Sequence, residues 1–154
     1  VRNGTISGTG FRGLDLSTYA IVENIHARSN RAQQIFVGVG SIVRNNVVHA
    51  GGNVGIQTGA GALVTGNSVS DHANVGILTG SGSTIAGNTT YENQADGISA
   101  STGSNVAGNM SYSNLGDGIQ STTSSMAQRN TTNENTGFGI HTSRASRRSP
   151  TATT

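Results

Sequence analysis

The chain has 154 residues, of which 32% are hydrophobic, 4% aromatic and 10% charged, with 23 Gly, one Pro and neither Cys nor Trp. The formal net charge is +2, but all nine basic residues are Arg and three of them (Arg144, Arg147, Arg148) fall in the last eleven positions, which leaves six Arg against seven acids in the body. These figures exclude disulfides, thiolate chemistry, a basic nucleic-acid surface and a thick globular core.

The low charge and single Pro argue against a disordered chain, and no apolar run is long enough to span a membrane. The chain opens abruptly inside a motif, with no leader in view, as a trimmed product would. The first feature in chain order is Gly8-Thr9-Gly10-Phe11-Arg12-Gly13, a literal G-x-G-x-x-G. A dinucleotide site needs a helix after such a loop, and the stretch that follows from Leu14 is β-like. With no Lys in the chain, a phosphate-binding P-loop is excluded.

From Leu14 onward the chain repeats every 21 residues. Leu14, Ile35, Ile56, Ile77, Ile98, Ile119 and Ile140 form one column, preceded by Gly13, Gly55, Gly76, Gly97, Gly118 and Gly139, with Gln34 as the exception. A second apolar column runs Val22, Val43, Val64, Ile85, Val106, Ala127. A third is Asn46, Asn67, Asn88, Asn109, Asn130, and a fourth is Asn93, Asn114, Asn135, with Gly51 and His72 above them. Asn24 sits one place early for the third column, which predicts a one-residue slip between about 24 and 34.

A helical pair needs a longer period, and Gly and Asn at this density break helices. Short segments such as 55–58 (GIQT) and 63–66 (LVTG) read as strands between turns. Three strands and three turns fill 21 residues, which is one coil of a parallel β-solenoid with coils about 4.8 Å apart. Alternation puts the Ile column inside, with Thr58, Thr79 and Thr142 at the same parity. The Gly before each Ile is expected to serve a tight turn or a positive φ. The Asn columns are expected to be ladders, because stacked amides pair one another out of water.

Few residues carry candidate chemistry. Asp96 and Asp117 share a column in adjacent coils, as do Asp71 and Glu92. Adjacent carboxylates can hold Ca2+, yet Asp before Gly is an ordinary turn residue. No cofactor is expected, with Ca2+ at such a pair as the exception. His26, His49, His72 and His141 fall in four different columns, so surface or turn roles are expected rather than a shared metal. Tyr91 and Tyr112 share a column and are read as packing, or as a two-rung platform for a sugar ring.

The pattern Gly-Ile-x-x-x-x-Gly-x-x-Val-x-Gly-Asn-x-x-x-x-Asn resembles the repeat of the right-handed parallel β-helix proteins of the pectate-lyase-like superfamily. Val1 to Gly13 resembles the stretch that opens such arrays. The resemblance implies an all-β, right-handed parallel β-helix of about seven coils over 1–146, followed by a polar basic tail at 147–154. It is nearly silent on activity. Lyases of this kind imply Ca2+ held by several Asp with an Arg or Lys base, and epimerases an Asp-Pro-His-Glu motif. Neither pattern is present, so no catalytic residue is assigned.

Two functions remain from this reading. One is a non-catalytic extracellular or cell-surface solenoid that stacks head to tail on itself, because no capping helix flanks the coils. The other is a carbohydrate-binding or polysaccharide-active β-helix, with Tyr91, Tyr112, Asp96 and Asp117 as contacts.

Overall fold

The computed structural model describes residues 1–143 and places nineteen short strands and no helix in them. The expected tail at 147–154, with Arg147 and Arg148, lies outside the described residues, as does Arg144. Every strand pair is parallel, and every register step is 21 residues, as in Ile56↔Ile77, Ile77↔Ile98 and Ile98↔Ile119. The molecule is a β-solenoid whose coil is one repeat.

Three ladders run along it. The first joins seven three-residue strands, from Leu14–Leu16 to Ile140–Thr142. The second runs through Ile42–Arg44, Leu63–Thr65, Thr84–Ala86, Asn105–Ala107 and Met126–Gln128. The third runs through Val47–Gly51, Ser68–His72, Thr89–Tyr91, Met110–Tyr112 and Thr131–Asn133. The second and third diverge from one long strand, Ile21–Arg28, which pairs with Ile42–Arg44 along its first half and with Val47–Gly51 along its second.

The core is a stack of thin layers. Ile35, Ile56, Ile77, Ile98 and Ile119 have no exposed surface, and Val22, Val43, Val64, Ile85 and Val106 face them from the second ladder. Each fully buried aliphatic side chain contributes on the order of 2 kcal/mol. At the two ends of the described coils Leu14 is half-buried and Ile140 is exposed. Thr58 and Thr79 point inward as their parity requires, whereas Thr142 lies exposed in the last described strand.

The three corners of each coil share a residue in the left-handed region, followed in most coils by a small polar residue that faces inward. At the first corner Gly40, Gly82 and Gly103 have positive φ, and Ser41, Ser83 and Ser104 follow them. The Ser hydroxyls accept from the previous coil, as in Ala62 N to Ser83 Oγ at 3.2 Å and Ser83 N to Ser104 Oγ at 3.3 Å. At the second corner Asn45, Gly66, Gly87, Gly108 and Arg129 are left-handed, each followed by a ladder Asn.

That corner corrects the predicted slip. Asn24 has φ 54°, and Glu23↔Arg44 and His26↔Val47 keep the step of 21 on either side of it. Asn24 is therefore the left-handed corner residue of its coil, a place Asn tolerates better than other side chains. Ile25 takes the ladder position, and its N–H donates to Asn46 Oδ1 at 2.9 Å.

The Gly column sits at a bend, one of the two roles expected of it, but without the positive φ. Gly55, Gly76 and Gly97 are absent from the positive-φ residues. A Cβ at Gly76 would lie 2.7 Å from the Gly97 carbonyl and 2.8 Å from Asn93 Nδ2. These glycines let the backbone pass close to the next coil and its ladder amide.

Candidate functional site

The third ladder turns an outward row along the rod: Arg28, His49, Ser70, Tyr91, Tyr112, Asn133, each in register with the next. Tyr91 and Tyr112 are partly exposed and stack in parallel, with centroids 5.1 Å apart and planes 2° from coincident. One coil above Tyr91 the row narrows to Ser70, which is buried. One coil further lies His49, whose Nε2 is 2.9 Å from Nε2 of His26. His26 and His49 are separated by 23 residues, a diagonal of the ladder. Reading the repeat by columns of 21 hides the pair, and a search at 21 plus 2 would have found it.

The carboxylate pairs separate into two kinds. Asp71 and Glu92 are exposed left-handed corner residues at the third corner, with φ of 57° and 55°. Asp96 and Asp117 instead close backbone bonds to the next coil: Asp117 N donates to Asp96 Oδ1 at 2.8 Å, and Phe138 N donates to Asp117 Oδ1 at 2.7 Å. Burial raises the Asp96 pKa, and the Asp117 N–H and the neighbouring Asp117 charge work in opposite directions on it. His141 Nδ1 lies 3.0 Å from Asp117 Oδ2. Among the described residues no three His, Cys, Asp or Glu side chains converge as a metal cage.

His72 is not the surface or turn residue expected from the scatter of the four His over different columns. It is fully buried in the fourth column, and burial lowers its pKa to about 4. Its Nε2 lies 3.3 Å from the Val48 carbonyl. Asn93, Asn114 and Asn135 send their side-chain N–H to Val69, Thr90 and Ser111 carbonyls at the same offset of 24 residues. His72 therefore carries its proton on Nε2 and takes an Asn's place, and its Nδ1 has no partner.

Arg12 occupies the outward face of the first ladder. It packs over the Phe36 ring at 3.9 Å and binds Asp15 at 2.7 Å. A surface pocket of about 270 Å³ lined by Val1, Arg2, Ile21, Glu23 and Arg44 lies at the first coils, where Glu23 and Arg44 pair at 2.6 Å. Its one carboxylate, Glu23, faces both Arg2 and Arg44, and the pocket lies away from the tyrosine row.

A model of the right handed beta helix region matches residues 9–152, and the chain belongs to that family. Among solved structures the chain is similar to the A-module of the Azotobacter vinelandii mannuronan C-5 epimerase AlgE6, at TM-score 0.68 and 16% identity, over 96% of this chain and 58% of that one. It is similar to the AlgE4 A-module of the same organism at TM-score 0.65 and 13% identity, over 94% and 57%. A periplasmic alginate epimerase, AlgG, matches at TM-score 0.62 and 22% identity, over 72% of this chain and 29% of that one. The chain thus spans well under two thirds of the proteins it resembles. No curated protein matches it. Among the described residues no helix is long and apolar enough to cross a membrane.

Proposed function

We propose that this β-helix binds a polysaccharide along the outward row of its third ladder. The observation that carries the reading is the parallel Tyr91–Tyr112 stack beside a small residue. Tyr112 covers one face of Tyr91, and the other face is on the Ser70 side. Two coil steps, about 10 Å, separate Tyr91 from His49. The proposed contact is one sugar ring packed against Tyr91, with the row continuing past it for further sugar units. Aromatic faces bind sugar C–H groups without a fixed charge, in keeping with a chain that has few charges to offer.

The structural neighbours support this reading, since two are named for mannuronan and one for alginate. An extracellular or periplasmic location goes with it. Asp96 and Asp117 leave the contact set, because each is engaged by backbone of the next coil. A head-to-tail fibre has the open ends of the Ile column behind it, where Leu14 is half-buried and Ile140 exposed, and polysaccharide binding stands ahead of it on the tyrosine stack and the structural neighbours. Affinity electrophoresis in gels carrying acidic or neutral polysaccharides tests the proposal. The wild type should be retarded by at least one polymer. A Tyr91→Ala/Tyr112→Ala variant with an intact circular dichroism spectrum should lose at least tenfold in affinity. Equal retardation of the two proteins, or no retardation by any polymer, overturns the reading.

A further inference from the structure

We propose that His26 and His49 form a binding site for a divalent transition metal with tetragonal preference, Cu(II) first and Ni(II) second. The two rings project from neighbouring strands of the third ladder, both partly exposed, with Nε2 atoms 2.9 Å apart and centroids 5.0 Å apart. With metal–nitrogen bonds of 2.0–2.1 Å, two ligands at a right angle lie about 2.9 Å apart and two at a tetrahedral angle about 3.4 Å apart. The two Nε2 atoms point nearly at each other, and a small turn of both rings aims them at one shared ion. Imidazole nitrogen suits Cu(II) and Ni(II), and Cu(II) binds such donors tightest among the divalent first-row metals.

Without metal, one Nε2 donates its proton to the lone pair of the other. Metal binding replaces that single proton: both rings become Nδ1–H tautomers, both Nε2 lone pairs go to the ion, and the net charge of the pair rises by two. The ladder holds both strands in place, so little order is lost on chelation. The register neighbours of the pair are Thr5, Val47, Arg28 and Ser70. None is a carboxylate, so the remaining coordination positions belong to water or to an oxygen of a bound ligand. The proposal is independent of the polysaccharide reading, because it rests on the two rings alone.

The test uses tag-free, metal-stripped protein titrated with CuCl2, NiCl2 and ZnCl2 by calorimetry. The expected result is one strong site with Cu(II) tightest and Ni(II) above Zn(II). The Cu(II) electron paramagnetic resonance spectrum should be tetragonal with two nitrogen ligands. His26→Asn and His49→Asn should each weaken Cu(II) by at least tenfold, and His141→Asn should not. Cu(II) should also raise the wild-type melting temperature, since it binds only the folded state. In unsubstituted protein, substoichiometric Cu(II) should broaden the His26 and His49 ring signals in the NMR spectrum before that of His141. That measurement keeps the test decisive even if a variant fails to fold. Wild-type affinity retained in both variants, Zn(II) bound above Ni(II), or broadening of His141 first overturns the proposal.

Discussion

The ladder from Asn46 to Asn130 and the column from Asn30 to Asn135 occupy equivalent corners of the same coils, yet only the first is regular. In the regular ladder each Asn does the same work. Asn67, for example, donates from its backbone N–H and from Nδ2 to Asn88 Oδ1, both at 3.0 Å, and from Nδ2 to the Val43 carbonyl at 3.0 Å. Each amide is satisfied by its neighbours in the stack.

The other column has that form only from Asn93 onward. Above it, Gly51 supplies no side chain. Gln34, from the coil of Asn30, folds into the gap and accepts from Asn30 Nδ2 at 2.6 Å, while its Nε2 returns to the Asn30 carbonyl at 3.0 Å. This explains why Gln34 alone breaks the Gly column. The residue 17 positions on, which confronts Gly76 as Asn93, is a glycine at 51. A Cβ at Gly51 would strike both His72 Nδ1 and Gln34 Nε2. Gly51, Gln34 and His72 therefore form one interlocked exception. A ladder position can be filled from its own coil, but the substitute brings a titratable ring into the core.

The largest way to break the comparison is Asn88→Leu. It removes the acceptor for Asn67 and the donor to the Val64 carbonyl and leaves several buried polar groups unpaired. The expected loss is about 3–5 kcal/mol. His72→Leu removes one bond, to Val48, and should cost less than half as much. Urea unfolding of the two variants checks the ratio, and equal losses would show that the two columns bear equal weight.

Acid acts on the exceptional column. His72 titrates near 6.5 when unfolded and at about 4 when folded, so between those values the unfolded chain binds a proton that the native core refuses. Stability from this residue is complete above pH 6.5 and falls away as pH drops toward 4, by roughly 3 kcal/mol. The triple variant Gln34→Gly/Gly51→Asn/His72→Asn restores the regular pattern and should lose that part of the acid sensitivity. Urea midpoints at pH 7.5 and pH 4 for both proteins measure the difference. An unchanged slope in the triple variant would remove His72 as its source.

The smallest effect concerns the carboxylates. Asp96→Asn keeps an Oδ1 to accept from Asp117 N and relieves a half-buried charge whose pKa burial raises. Stability at pH 7 should change by no more than about 0.5 kcal/mol, upward if at all. The advantage of Asn should shrink as the pH falls, since Asp96 then takes up a proton in the folded state first. Thermal melts with and without Ca2+ check it. A loss of several degrees that added Ca2+ restores only in the wild type would turn the pair into a cation site.

The repeat alone determined the parallel solenoid, its coil length, its Ile core and the Asn46–Asn130 ladder. Parallel coils in register place residues 21 apart side by side, so a periodic sequence states its own lateral contacts. What a 21-residue column cannot express was decided by tertiary structure. Asn24 takes the left-handed corner position of Asn45 rather than the ladder position of Asn46, and residue type does not show which of the two an Asn fills. Gln34 and Gly51 are coupled across 17 positions and His26 and His49 across 23, because side chains reach diagonally as well as straight across the ladder. His72 reads as a polar surface residue until the coil closes around it. The same closure that buries it in an Asn's place lowers its pKa and makes one corner of the rod sensitive to acid.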